Sequence, residues 1–189
     1  MATGNPYLKG KILIASPAIG DPRFDKAVIF VCDHSDEHAM GITLNKPVRD
    51  LRMPTLFEQL GVKASIRVPD RPILEGGPVD RDRGFVLHTR EYGASDATLP
   101  IADDLAMTAT KEILAAIASE DAPRRSVLAL GYAGWGAGQL DDELQANAWL
   151  VADPDETLIF DDAFDDKWTL ALKSLGVDPG RLSASSGHA

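Results

Sequence analysis

The sequence predicts an α/β (α+β) fold: a mixed, barrel-like curled sheet surrounded by helices, in a single compact domain. Two observations lead there. Strand-like apolar runs come in neighbouring pairs early in the chain and alternate with helical stretches later, whereas a doubly wound sheet would alternate throughout. A chain of 189 residues with 44% hydrophobic content is also long enough to bury a core without a disulfide or a structural metal.

Taken in order, Lys11 to Ala15 reads as a buried strand stopped by Ser16-Pro17, and Ala18 to Pro22 has turn chemistry. The β-branched run Ala27 to Cys32 and the run Met40 to Leu44 form a hairpin around the polar stretch Asp33 to His38, closed by Asn45-Lys46-Pro47. Thr55 to Gly61 is a short helix with a glycine stop. Pro72 to Glu75 and Gly84 to His88 are short strands. Thr108 to Ser119 carries Ile113, Leu114 and Ile117 at helical spacing. Ser126 to Leu130 is a buried strand followed by a glycine-rich turn and a helix near Gln139 to Gln145. Trp149 to Val151 is a strand, Leu158 to Phe160 is extended, and Phe164 to Leu175 is a last helix stopped by Gly176. Glu91 to Ala97 is a loop. Residues 1–6 read as a flexible N-terminus, 7–180 as the domain and 181–189 as a mobile tail.

The net charge is −10, and ten of the 29 acidic residues lie between Asp141 and Asp166, where no Lys or Arg occurs. The remaining 19 acids balance the 19 basic residues, so the excess sits in the C-terminal third. Such a surface repels phosphate backbones and argues against direct nucleic-acid binding. Its simplest use is as a solubilising face. No apolar run approaches the roughly 18 residues of a membrane span, and the polar first residues do not resemble a signal peptide. With a single cysteine, Cys32, no internal disulfide or cysteine-based zinc framework can form. The expected location is the cytoplasm, with no membrane partner and no cofactor.

Cys32 and His34 lie two apart on a strand and so are expected on one face, where an imidazolium could activate the thiol. His88 at another strand end could join them. A buried cysteine packing as a small hydrophobe is the plainer reading. The histidines with Asp33, Asp36 and Glu37 match no metal-ligand spacing, so no metal site is expected. Gly131 to Gly138 could offer backbone N–H groups to an anion, but no Gly-Lys-Ser/Thr follows, and Asp141, Asp142 and Glu143 already occupy the next helix start. A tight turn seating Trp135 in the core is simpler. Beside Gly76-Gly77-Pro78, Arg83 could grip a carboxylate. Among Asp161, Asp162, Asp165 and Asp166, one of the first pair is expected to cap the last helix while the others fill its first turn.

These segments in this order resemble the YqgE/AlgH family. The resemblance rests on Gly10 to Pro17, Asp21, Phe24, Val28 to His34, Gly41 to Pro47, Gly76 to Val79 and Arg83 to His88. Toward the C-terminus it rests on Gly131 to Trp135, Gly138-Gln139-Leu140, Glu143-Leu144, Asn147, Trp149-Leu150, Lys167-Trp168 and Leu175 to Asp178. Asp141 stands where the family pattern would have Glu, which keeps the charge. The resemblance implies a compact α/β domain on a barrel-like mixed sheet and implies no reaction. Some members are described as transcriptional regulators, which on charge grounds points to an indirect role here. The expected function is therefore a non-enzymatic accessory or indirect regulatory protein that binds a small molecule or a protein. Its cleft is expected where Asn45, Gly76, Gly77, Arg83, Gly134, Trp135 and Gln139 converge. The alternative is a thiol-dependent enzyme or redox sensor using Cys32 with His34 or His88. A direct DNA-binding regulator has least support.

Overall fold

The structure, a computed structural model, describes residues 7–92, 97–102 and 104–185. The segments 1–6 and 186–189, and Gly93 to Asp96 of the loop near Glu91, lie outside the described residues. The fold is α+β with a mixed sheet, as expected, and its residues gather into two compact units. The first comprises residues 1–45 and 133–189, the second residues 46–132.

In the first unit, β1 (Ile12–Ala15) lies between β10 (Trp149–Ala152) and β2 (Val28–His34), and β3 (Ala39–Thr43) follows β2. Residues 133–135 of β9 (Ser126–Trp135) pair with β3, and every pairing in this unit is antiparallel. Buried on one face are Leu13, Ile29, Val31, Trp135 and Trp149. The rings of Trp135 and Trp149 meet edge to face at 6.0 Å, and Phe24 meets Trp149 in the same way at 5.8 Å. Helices α3 (Gln139–Gln145), α4 (Glu156–Phe160), α5 (Lys167–Ser174) and α6 (Pro179–Ser185) complete the unit. Trp168 on α5 donates its indole N–H to the Ala15 carbonyl at 2.8 Å, tying the helix to β1.

In the second unit the strands run β4 (Pro47–Arg52), β5 (Pro72–Glu75), β9, β6 (Val79–Thr89), β8 (Leu105–Thr108) and β7 (Thr98–Ala102). Only β5 and β9 are parallel, which makes the sheet mixed. Its core is built from Met53 and Phe57 of α1 (Met53–Gln59), Ile73, Val86, Leu128, and Ile113, Leu114 and Ile117 of α2 (Glu112–Ile117).

Several elements differ from the sequence reading, each for a physical reason. The glycine-rich run from Gly131 to Trp135 is strand, because its backbone is paired along β3 and β6. Leu158 to Phe160 is helical, because the Asp155 side chain accepts from the amides of Thr157 and Leu158 and caps α4. Thr108 belongs to a strand, and α2 begins only at Glu112. The β4 strand is too polar to show as an apolar run, and β7 and β8, which the sequence reading did not assign, form a ladder with each other and with β6. Arg181 to Ser185, read as part of the tail, is helical.

Gly131 has a φ of +75°, and a Cβ there would lie 2.5 Å from the Gly77 carbonyl oxygen and 3.0 Å from that of Val79. Gly61 has a φ of +69° but open space around it. G131A is therefore expected to destabilise the protein by about 3 kcal/mol or more, through clash added to backbone strain, whereas G61A costs only about 1 kcal/mol of strain. Urea unfolding of both variants checks this; equal losses would show that the close approach at Gly131 is not felt.

Candidate functional site

The side chains that the sequence singles out lie in both units, and nearly all of them are occupied by internal contacts. In the second unit, a Cβ at Gly76 would strike the Gly131 carbonyl oxygen, and the Gly76 amide donates to the Leu130 carbonyl at 2.9 Å. Gly76 and Gly77 therefore serve a close backbone approach. The Arg83 guanidinium lies 5.2 Å from the centre of the Phe85 ring. Neighbouring Arg81 pairs with Glu75 at 2.8 Å.

His88 is fully buried and doubly bonded. Its Nδ1 lies 2.8 Å from the Thr89 carbonyl, an acceptor only, so Nδ1 carries the proton. Nε2 is then the acceptor from the Thr108 hydroxyl at 2.8 Å, and Thr108 in turn accepts from Thr98 at 2.8 Å. Burial pushes the His88 pKa below its ordinary value, opposed by the bond to Thr89.

In the first unit, the strand alternation that would join Cys32 to His34 is broken by a bulge. Val31 pairs with Gly41, Asp33 with Met40 and His34 with Ala39, leaving Cys32 as the inserted residue. Val31 and His34 thus share a face that Asp33 does not. Cys32 is fully buried, its sulfur 3.7 Å from the Phe30 carbonyl, and burial drives its thiol pKa far up. His34 Nδ1 accepts from the Leu8 amide at 2.9 Å, which leaves the proton on Nε2, 3.7 Å from Asp141 Oδ1. The Tyr7 ring packs edge to face on His34 at 5.3 Å.

Asn45 holds backbone on both sides of its amide. Its oxygen accepts from Val28 N–H at 3.0 Å, and its nitrogen donates to the Lys26 carbonyl at 2.8 Å. Gln139 accepts from the Gly136 amide at 3.0 Å, closing the turn before α3. Trp135 is a core residue, as the plainer reading expects, seated over Gly41, where a Cβ would lie 3.5 Å from its ring. Gly134 pairs with Met40 in the sheet. Of the cleft expected from the loops, Asn45, Gly134, Trp135 and Gln139 lie in the first unit and Gly76, Gly77 and Arg83 in the second. Among the described residues no group of three or more His, Cys, Asp or Glu side chains could hold a metal. No helix is long and apolar enough to cross a membrane.

The larger cavity lies elsewhere, within the first unit. About 450 Å³ in volume, it opens beside the end of β10, between α4 and α5. Pro154, Leu158, Leu170 and Leu175 give it apolar walls, with Asp153, Asp155 and Asp161 also lining it. Leu170 and Leu175 are 48% and 39% exposed. Lys167 lines it too, yet is only 1% exposed. Its ammonium donates to the Ile159 carbonyl at 3.0 Å and sits 5.4 Å from the Phe164 ring. That carbonyl belongs to the last turn of α4, where helical partners run out. The expected cap of the last helix by Asp161 or Asp162 does not form: Asp161 accepts only from the Ala163 amide in the turn before it, and α5 starts at Lys167 with no side-chain bond capping it. Sequence reasoning missed this cavity. The signal available was Lys167, the first cation after ten acids, set at the start of a helix with apolar residues on more than one side. A smaller cavity of about 180 Å³ in the second unit is lined by Leu56, Val86, Thr108, Leu114 and Leu130 among others.

Because the His88 pKa is depressed on folding, the unfolded chain takes up the proton first. The stability this histidine contributes is present above about pH 6.5, the ordinary imidazole value, and is lost as pH falls below it. The stability difference between the parent and H88Q, measured by urea unfolding from neutral to mildly acid pH, should therefore shrink on acidification. A difference independent of pH would contradict the buried neutral imidazole.

Comparison with known proteins agrees with this architecture. The AlgH-like family model, DUF179, matches residues 12–180. A UPF0301 protein of Caulobacter vibrioides is 49% identical over 184 residues, covering 97% of this chain and 94% of its own. A UPF0301 protein of Methylobacterium nodulans is 50% identical over 190 residues, covering 97% and 90%. The solution structure of the AlgH protein from Pseudomonas aeruginosa aligns over the whole of both chains with a TM-score of 0.77 and 39% identity. A Corynebacterium diphtheriae crystal structure at 21% identity, covering 92% of this chain and 90% of its own, shares the fold with a TM-score of 0.71. The chain belongs to the AlgH-like family.

Proposed function

We propose that this is a cytoplasmic, non-enzymatic accessory or indirect regulatory protein that acts by binding a small molecule, with the cavity of the first unit as its binding site. One observation carries the reading: the side chains best suited to chemistry hold the protein's own backbone, while an apolar cavity stands open. His88, Asn45 and Gln139 all bond internally. The cavity of about 450 Å³ is within the usual range for small ligands, roughly 300–1,000 Å³. The acidic C-terminal third supports regulation by something other than direct DNA contact.

A metabolite panel screened by thermal shift tests the site, using the parent and S174W, whose exposed, cavity-lining position accepts a large side chain. A true ligand at a hundredfold excess over Kd should raise the parent Tm by about 5–10 °C and leave S174W unmoved. If every stabilising compound acts on both proteins alike, the cavity is not the site.

The thiol-enzyme alternative is tested at Cys32. A disulfide reagent at neutral pH is expected to label it no faster than the protein unfolds, because the sulfur is buried and held as the neutral thiol. Rapid labelling of the folded chain would favour the alternative.

A further inference from the structure

We infer that the ligand of this cavity is an amphipathic organic cation: an ammonium or guanidinium group carrying an apolar body of several carbons. The inference rests on reading the cavity as the binding site, and it adds the charge of the ligand.

The apolar walls account for the body. Leu158, Leu170, Leu175 and Pro154 line the space, and exposed leucines have no polar contact to satisfy. The three aspartates account for the head. Each has one oxygen committed: Asp153 Oδ1 to the Lys11 ammonium at 2.5 Å, Asp155 Oδ1 to the amides of Thr157 and Leu158 at 2.8 and 3.2 Å, and Asp161 Oδ1 to the Ala163 amide at 2.5 Å. The amide bonds hold Asp155 and Asp161, whereas the Asp153 pair with Lys11 lies at the surface, and Oδ2 of each stays outside every hydrogen bond among the described residues. The committed oxygens of Asp155 and Asp161 are held by neutral amides, so no bonded cation offsets either carboxylate.

The one cation in the lining is not offered to a ligand. Lys167 is 1% exposed, with its ammonium on the Ile159 carbonyl and against the Phe164 ring. An anionic head would therefore meet carboxylates first, whereas a cationic head meets fixed acceptors and gains charge-assisted bonds. Asp153 is already paired with Lys11, so the negative excess offered to a head group comes from Asp155 and Asp161. A bare metal ion does not fit, because no group of three metal-ligating side chains exists among the described residues and an ion would leave the apolar walls unused.

Three probes with one apolar body separate these ideas: hexylammonium, hexanol and hexanoate, titrated by calorimetry into the parent, S174W and the pair of variants D161N and D155N/D161N. Asparagine keeps the capping oxygen at both positions, and D161N alone serves if the double variant is unstable. Hexylammonium is expected to bind the parent at least about tenfold more tightly than hexanoate, a difference of about 1.4 kcal/mol, and more weakly at high salt. D161N should reduce that preference and D155N/D161N should abolish it, while hexanol binding stays unchanged. Hexanoate equal to or tighter than hexylammonium, or a preference that survives D155N/D161N, overturns the cation inference. Provided that S174W still blocks hexanol, the cavity remains the site. No binding of any probe to the parent overturns the inference and removes the cavity reading with it.

Discussion

The second unit depends on one place where two backbones touch. Strand β5 pairs with β9 on one side and β6 pairs with it on the other, yet only Gly76, Gly77 and Pro78 separate Glu75 from Val79. Two strands flanking a third stand roughly 9–10 Å apart, a span that so short a link covers only by passing directly over the strand between them. It passes at Gly131, where a Cβ would meet the Gly77 and Val79 carbonyl oxygens. The return move is equally closed, since a Cβ at Gly76 would strike the Gly131 carbonyl. Two glycines far apart in sequence thus answer a single constraint, and the parallel pairing that makes the sheet mixed follows from it.

A second regularity is that polar side chains, buried or not, serve the backbone. A buried N–H or C=O without a partner is costly, and irregular strand ends produce several. Asn45 extends the ladder beyond β3 by bonding Val28 and Lys26, whose φ of 54° takes its carbonyl out of regular pairing. His34 covers the Leu8 amide, Gln139 the Gly136 amide and Lys167 the Ile159 carbonyl. Each of these residue types is also common in active sites, so sequence alone ranks Asn45, His34 and Gln139 as candidates. What separates the two roles is whether the lone pair or proton is already in use, and that depends on neighbours from distant segments.

This is why the fold was more legible than the site. Strands with continuous apolar runs, such as Ile12 to Ala15 and Pro72 to Glu75, stand where periodicity puts them. Strands such as Pro47 to Arg52 carry mostly exposed polar residues and exist through pairing with β5, which no local pattern encodes. The glycine-rich run misleads because glycine signals a turn locally, whereas here Gly131 clears a crossing and Gly134 lies in a ladder. Counting by twos along β2 fails at Cys32, since the bulge there is visible only in the register against Met40 and Gly41. Helix α4 was hidden because a single aspartate cap at Asp155 turns a short apolar stretch into a helical turn.

The cavity owes its existence to how α5 meets the rest of its unit. Ala171 and Leu172 are fully buried against the core, and at 100° per residue Leu170 lies about 200° around the helix from Leu172. A residue so placed faces away from the core and would ordinarily be polar. Leu170 is instead apolar and 48% exposed, and Leu175 joins it at 39%. The Lys167 cap holds the last turn of α4 beside the start of α5, which keeps a wall opposite those leucines in place of solvent. Burying Leu170 and Leu175 in the free protein would require collapsing that wall, and the bonds of Asp155 and Asp161 to backbone amides resist it. Apolar surface maintained against collapse, with carboxylates fixed beside it, is what a site for an amphipathic cation requires and what a merely solubilising acidic face does not.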